Sequence, residues 1–189
     1  MIHMLNELYT ERLILKVAND SAAEQVLSYV LRNKEFLGPW EIERKEEYYT
    51  LAAQQKLLID DMRKIQNGEM FKVWISTVQE PERIIGSLAL SNIVRGAFQS
   101  CHLGYRIDKD ECNKGYMTEA LKKVIHYGFN ELGLHRIEAN IMPRNKASLK
   151  VIENLGFYHE GLALKYLKIN GIWEDHIHMV MRNIDLEYD

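Results

Sequence analysis

The chain has 189 residues, 47% of them hydrophobic and 27% charged, which suits one globular domain (1–189) able to bury a proper core. Its formal net charge of −3 lacks the basic surplus of a nucleic-acid binder, and no run of about 18 apolar residues is present to cross a membrane. Two cysteines, Cys101 and Cys112, make neither a CxxC nor a metal-ligand spacing, so a reduced, cytoplasmic setting is expected rather than a disulfide scaffold.

The opening stretch, MIHMLNELYTERLIL, has no basic segment followed by a long apolar run and reads as no signal peptide. Alternation in ERLILKVAN predicts a first strand over 11–18. Asp20-Ser21 then caps a helix whose apolar positions Ala22, Val26, Leu27 and Val30 follow helical spacing. FLGPW (36–40) is expected to be a loop, because Gly38-Pro39 cannot continue a helix. A second helix spans about 45–66, with Leu51, Leu58, Met62 and Ile65 on its apolar side and a stop at Asn67-Gly68.

Three strands follow: MFKVWISTV (70–78), RIIGSLALSNIV (83–94) and SCHLGYRI (100–107). The short turns between them predict an antiparallel meander. NKGYMTEAL (113–121) opens a third helix, with Met117, Ala120, Leu121, Val124, Ile125 and Gly128 on one face. HRIEANIM (135–142) is a strand, and RNKASLKVIENLGF is a helix with Asn145 as N-cap and Gly156 at its left-handed end. Two last strands flank INGIW, where Asn170-Gly171 is the strongest hairpin signal in the chain. The order describes a mixed α/β or α+β sheet domain.

A glycine at the start of a helix has a physical use. Helix starts carry unpaired N–H groups and the positive end of the dipole, so they suit anions, and Gly115 would let phosphates approach the backbone closely. A plain turn leading into a helix accounts for the same residues.

Taken together, TERLIL (10–15), FLGPW, LGYRI (103–107), NKGYMTEAL, LHRIEANIMPRNKAS (134–148) and NLGFYHEG (154–161) decide between these readings. In this order they resemble the GNAT acyltransferases, and among them the ribosomal-protein N-terminal alanine/serine acetyltransferases. The resemblance covers nearly the whole chain. It implies a GNAT fold: a central, largely antiparallel seven-stranded sheet with one parallel splayed pair, flanked by about four helices. It also implies acetyl-coenzyme A as cosubstrate and no metal.

By this resemblance, the loop before the glycine helix cradles the coenzyme's pyrophosphate. Asn113, Lys114, Gly115, Tyr116, Met117 and Thr118 are the residues placed there. The family pattern has Arg or Gln, two residues, Gly, one residue, then Gly or Ala. Here Cys112 and Met117 depart from it and only Gly115 matches, which costs little because the ligating groups are main-chain. Lys114 is readable as a phosphate contact or a solvated lysine, and Thr118 as a contact or an ordinary helix residue. The strand with Tyr105 and Ile107 would bind pantetheine and the thioester carbonyl through backbone groups, as an oxyanion hole does.

Many GNAT enzymes have an acidic tyrosine four residues before the Gly-Phe of the last helix; here that position is Ile152. The ribosomal-protein branch instead has a serine earlier in the helix, matched by Ser148, whose hydroxyl would face the leaving thiol; a serine that only satisfies local backbone is its plain alternative. Asn145 is both cap and coenzyme contact. Glu160, in GFYHEG, occupies the branch's place for a base that takes the amine proton directly or through water. A solvated strand-end glutamate is its plain alternative. Glu138 is the rival carboxylate: alternation places Arg136, Glu138 and Asn140 on one strand face, where Glu138 would orient His135, touch the coenzyme or pair with Arg136. Phe36 and Trp40 would wall the acceptor cleft or fill core under a loop. The histidines lack metal spacing; His176 and His178 share a face but read best as surface polar residues.

The acceptor is the least determined step. An α-amine has a pKa of about 7.7–8.0 against about 10.4 for lysine, so at pH 7 roughly a tenth of it is already neutral. A protein N-terminus therefore asks little of a base. A small amine (an antibiotic, a polyamine or an amino acid) and a non-catalytic coenzyme A-binding domain are the alternatives. Nothing in the chain fixes the oligomeric state, and a homodimer is allowed.

Overall fold

The computed structural model describes residues 6–188. Residues 1–5, which belong to the stretch read for a leader, lie outside them, as does residue 189.

β1 (Glu7–Tyr9) and β2 (Leu13–Lys16) form an edge hairpin closed by the Thr10 N–H donating to the Leu13 carbonyl at 3.0 Å. α1 (Ala23–Arg32) follows, then α2 (Lys34–Leu37) and a 3-10 turn, Gly38–Trp40. α3 (Leu51–Gln66) comes next, its Ala53 N–H capped by the Thr50 hydroxyl. β3 (Phe71–Thr77), β4 (Ile84–Val94) and β5 (Ser100–Ile107) form the expected antiparallel meander. α4 (Tyr116–Asn130), β6 (Arg136–Ile141), α5 (Lys146–Asn154), β7 (Tyr158–Ile169) and β8 (Ile172–Arg182) complete the chain.

These strands make one eight-stranded mixed sheet, β1-β2-β3-β4-β5-β6-β8-β7, with five α-helices around it. The expected counts of seven and four each fall one short. The additional strand is β1, too brief for alternation to register. The additional helix is α2, a single turn that runs two residues into the segment read as loop (36–40), where Gly38-Pro39 ends it as the sequence requires. The long second helix also starts later than the expected 45: 46–49 is a 3-10 turn set off by the Thr50 cap.

α4 and α5 pack on one sheet face, where Leu121, Val124, Leu149 and Ile152 meet Leu15, Val73, Leu88 and Ile137. α1 and α3 cover part of the other face through Val26, Tyr29, Val30 and Leu58 on Trp74 and Ile84. β5 and β6 are the one parallel pair among the described residues, and they are joined at only three register positions: Ser100↔Arg136, Cys101↔Ile137 and His102↔Glu138. Beyond these the strands run on, to Ile107 and Ile141, without pairing to each other. The sheet forks in its middle.

Candidate active site

One arm of the fork leads to the glycine helix. Asn113 and Gly115 both take left-handed backbone, φ +63° and +81°, and Gly115 is the N-cap of α4. With no side chain, Gly115 leaves the first-turn amides uncapped. Met117 turns into the core and Thr118 is half-buried. The Lys114 ammonium is held 2.8 Å from Glu111, which also accepts from Arg83 at 2.7 Å.

A cation without an assigned role in the sequence reading stands beside this loop. Arg12, inside TERLIL, donates to the Lys114 carbonyl at 3.0 Å and lies over the Tyr116 ring at 4.7 Å. Its Nε donates to Glu119 at 2.7 Å, and Glu119 also accepts from the Thr10 hydroxyl at 2.5 Å and the Arg12 N–H at 3.0 Å. Burial raises the Glu119 pKa, but these hydrogen bonds outweigh it and hold the carboxyl below its ordinary range. The edge hairpin thus braces the start of α4. Only the Arg-Glu charge pairing across 107 residues would have signalled it, and a single sequence does not show that pairing.

On the core side of the fork, the Tyr105 hydroxyl donates to the Ser148 carbonyl at 3.1 Å. Burial pushes the Tyr105 pKa up to about 12, so the phenol stays a donor. The Ser148 N–H donates to Asn145 Oδ1 at 3.1 Å, which is the cap expected for α5. Ser148 is half-buried in the first turn of α5, and Ile152 is fully buried in the core. Ile107 pairs with Gly86 at the end of β5.

On the opposite face, the two glutamates share Arg136. Glu160 is the extra residue of a β-bulge: His159 pairs with Met179 and Gly161 with His178, which leaves Glu160 without a partner in the ladder. Its exposed carboxylate accepts from Arg136 Nη1 at 2.8 Å and more closely from Nη2, and these bonds lower its pKa. Glu138 is only 8% exposed and lies at the last paired position before the fork opens. It accepts from Arg136 and from His178 Nδ1, each at 2.6 Å, with His102 Nε2 3.8 Å away. Burial raises the Glu138 pKa, but hydrogen bonds from Arg136, His178 and Asn140 outweigh it and lower it overall. His135 instead meets Glu187, at 2.9 Å.

Phe36 and Trp40 part company. Phe36 lines a shallow depression with Leu31, Arg32 and Lys109, whereas Trp40 stacks under Arg144 at 4.8 Å. Arg144 also bonds Glu174 and the Pro39 carbonyl, and the Asn170 N–H donates to the Glu41 carbonyl at 3.0 Å. The β7-β8 hairpin tip is therefore fastened to the 38–44 segment, beside a cleft of about 250 Å³ lined by Val30, Asn33, Glu41, Arg44, Tyr48 and Arg106. No group of three or more His, Cys, Asp or Glu that could hold a metal occurs among the described residues.

Residues 12–158 match the acetyltransferase (GNAT) domain family. The chain belongs to the GNAT acetyltransferases. It is 41% identical over 165 residues to a probable N-acetyltransferase, YjcK, of Bacillus subtilis, covering 87% of this chain and 91% of that one. To the [ribosomal protein uS5]-alanine N-acetyltransferase of Escherichia coli it is 40% identical over 172 residues, 90% and 87% of the two chains. The crystal structure of ribosomal-protein-S5-alanine acetyltransferase from Vibrio fischeri superposes with a TM-score of 0.90 at 35% identity, covering 95% and 97%. Mycobacterium smegmatis RimJ in complex with CoA-disulfide superposes at 0.86 with 25% identity, covering 92% and 83%. The mixed, forked sheet is the GNAT fold, and the chain is an N-acetyltransferase related to the enzymes that acetylate ribosomal proteins.

Proposed function

We propose that this GNAT enzyme moves the acetyl group of acetyl-coenzyme A directly to the N-terminal α-amine of a protein, with an N-terminal alanine or serine as the preferred acceptor. The observation that carries the reading is the fork between β5 and β6, which separates an uncapped helix start on one side from an open, carboxylate-bearing face on the other. A RimJ relative has been crystallised with CoA-disulfide, which supports coenzyme A as the ligand. The 40%-identical uS5-alanine acetyltransferase supports the acceptor class.

In this reading the pyrophosphate rests on the amides of 113–118, where the helix dipole and left-handed backbone favour an anion. Pantetheine runs along the unpaired edge of β5 at Tyr105 and Ile107, with Asn145 at its other side. Those free backbone donors polarise the thioester carbonyl as negative charge develops on its oxygen. The Ser148 hydroxyl protonates the leaving thiolate from the first turn of α5. The acceptor enters over Gly104, which is exposed and where an added Cβ would meet nothing within 4 Å. Glu138 and Glu160 make that face attractive to an ammonium group, and Trp40 walls the way in.

A panel of acceptors scored by thiol release tests the reading. A peptide beginning with Ala or Ser should turn over faster than a lysine side chain, a polyamine or a free amino acid. Equal or faster turnover of any of the latter rejects the protein N-terminus, and coenzyme binding without turnover of any amine rejects the enzyme.

A further inference from the structure

We propose that His178 is the general base of the transfer and that Glu138 is its positioning residue. The inference rests on the amine-acetylating activity argued above. It begins from a difficulty with the two glutamates. Both carboxylates are engaged by Arg136, and both are held below the ordinary glutamate range, so neither is a strong proton acceptor. The group that Glu138 engages has an unused nitrogen. Glu138 Oε1 accepts from His178 Nδ1 at 2.6 Å, which places a proton on Nδ1, so the neutral ring carries its lone pair on Nε2. Nε2 of His178 makes no hydrogen bond among the described residues.

The place is right as well as the tautomer. His178 pairs across β8-β6 with Asn140, one same-face position past His102↔Glu138, where β5 has already left β6. On β7 its partner is Gly161, which has no side chain and near which an added Cβ would meet nothing within 4 Å. The Tyr166 ring stands edge-on to the imidazole at 4.9 Å, fixing its plane; the positive φ of Lys165 in the neighbouring bulge turns Tyr166 there. Directly opposite, Asn140 Oδ1 is buried and has no hydrogen-bond partner. A buried acceptor left unpaired costs free energy unless a donor meets it.

The proton balance closes without another reactant. His178 Nε2 takes one proton from the acceptor ammonium, leaving a neutral amine and an imidazolium. The amine lone pair forms the C–N bond at the thioester carbonyl. As the C–S bond breaks, the proton still surplus on nitrogen reaches the departing sulfur through the Ser148 hydroxyl. The products are the N-acetyl amide and the free thiol, and the imidazolium returns its proton to solvent. The charged and titratable groups around His178 are Glu138, Arg136, His102, Glu160, Tyr166 and His176.

His178→Gln should lower kcat by about 10²- to 10⁴-fold, leave the KM for acetyl-coenzyme A unchanged, and remove the acidic limb of the kcat/KM profile. Glu138→Gln keeps the imidazole and should shift that limb rather than remove it. His178→Gly should recover activity on addition of free imidazole, which a structural role would not produce. Circular dichroism and melting establish that the variants are folded. If His178→Gln, folded, keeps wild-type kcat and its acidic limb, the inference is overturned. Failure of the wild type on Ala and Ser peptides would instead count against the proposed acceptor. In that case 15N NMR of the imidazole decides without any acceptor: an Nδ1-protonated ring supports the inference, and an Nε2-protonated ring overturns it.

Discussion

Gly115→Val and Gly115→Asn together separate backbone strain from ligand approach at the start of α4. Gly115 sits at φ +81°, and a Cβ there would stand 3.3 Å from Arg12 Nη2 and within 4 Å of no other atom. The clash is with the end of a flexible side chain, so the folding cost comes mainly from the left-handed backbone, about 1–2 kcal/mol for an ordinary L residue. Against the roughly 5–15 kcal/mol typical of a domain, both variants should fold. Asn tolerates left-handed backbone better than a β-branched residue and should lose less stability than Val. Both place a Cβ where phosphate oxygens would approach the amides. Loss of one hydrogen bond to a charged group costs about 1.5–3 kcal/mol, which raises Kd roughly 10- to 100-fold. Calorimetric titration of acetyl-coenzyme A into both folded variants reads the effect. An Asn variant binding as tightly as wild type would refute the close-approach argument, and equal losses of stability in Asn and Val would refute the strain argument.

Glu119→Gln should lower stability at neutral pH by about 1–3 kcal/mol in urea unfolding, since the carboxylate collects Thr10 and Arg12. Because its folded pKa lies below the unfolded one, that contribution is present above pH ~4.5 and lost as pH falls through the folded value; the wild type should therefore lose its advantage over the variant in acid. Gly128→Val should cost about 1–3 kcal/mol, because a Cβ there already meets Leu90 Cδ1 at 3.0 Å and Ile137 Cδ1 at 3.2 Å. In the native protein a thiol reagent should modify half-buried Cys112 and spare Cys101, which is 1% exposed with its pKa pushed up to about 12; unfolding without reductant should expose both. Ser148→Ala should reduce kcat by about 10²-fold with acetyl-coenzyme A affinity unchanged, and an unaltered kcat would leave the thiolate to depart without a side-chain acid.

Elements with strong periodicity or strong punctuation were legible in the sequence. The meander, the Asn145 cap and the Asn170-Gly171 hairpin all stand where local chemistry put them. β1 and α2 were not legible, since three or four residues carry no period and are held by what lies beside them. The expectation of an anion at the glycine helix rested on one residue, Gly115, but the Arg12–Glu119 brace links positions far apart in the chain and leaves no local mark. The same holds on the far face. Alternation put Glu138 and Asn140 on one side of β6 correctly, yet His178 reads as a surface residue until β8 is laid beside that strand. The bulge that re-aims Glu160 at Arg136 is likewise a property of pairing, and GFYHEG alone does not announce it.

The three-position seam between β5 and β6 makes the sheet, in mechanical terms, two plates joined by a short weld. One plate is β1 to β5, a continuous antiparallel run; the other is the trio β6, β8 and β7. Each has long internal ladders, whereas the weld is closed only after the chain has travelled out through α4 and back. Amide exchange should accordingly resolve two protected blocks, and the free energy separating them should be the strength of the weld plus the grip of α4 and α5 across it. A molecule that lies in the fork and bonds to both plates adds to that grip without touching either ladder. Its binding would then be felt as cooperativity: the two blocks, distinguishable by exchange in the free protein, would open together.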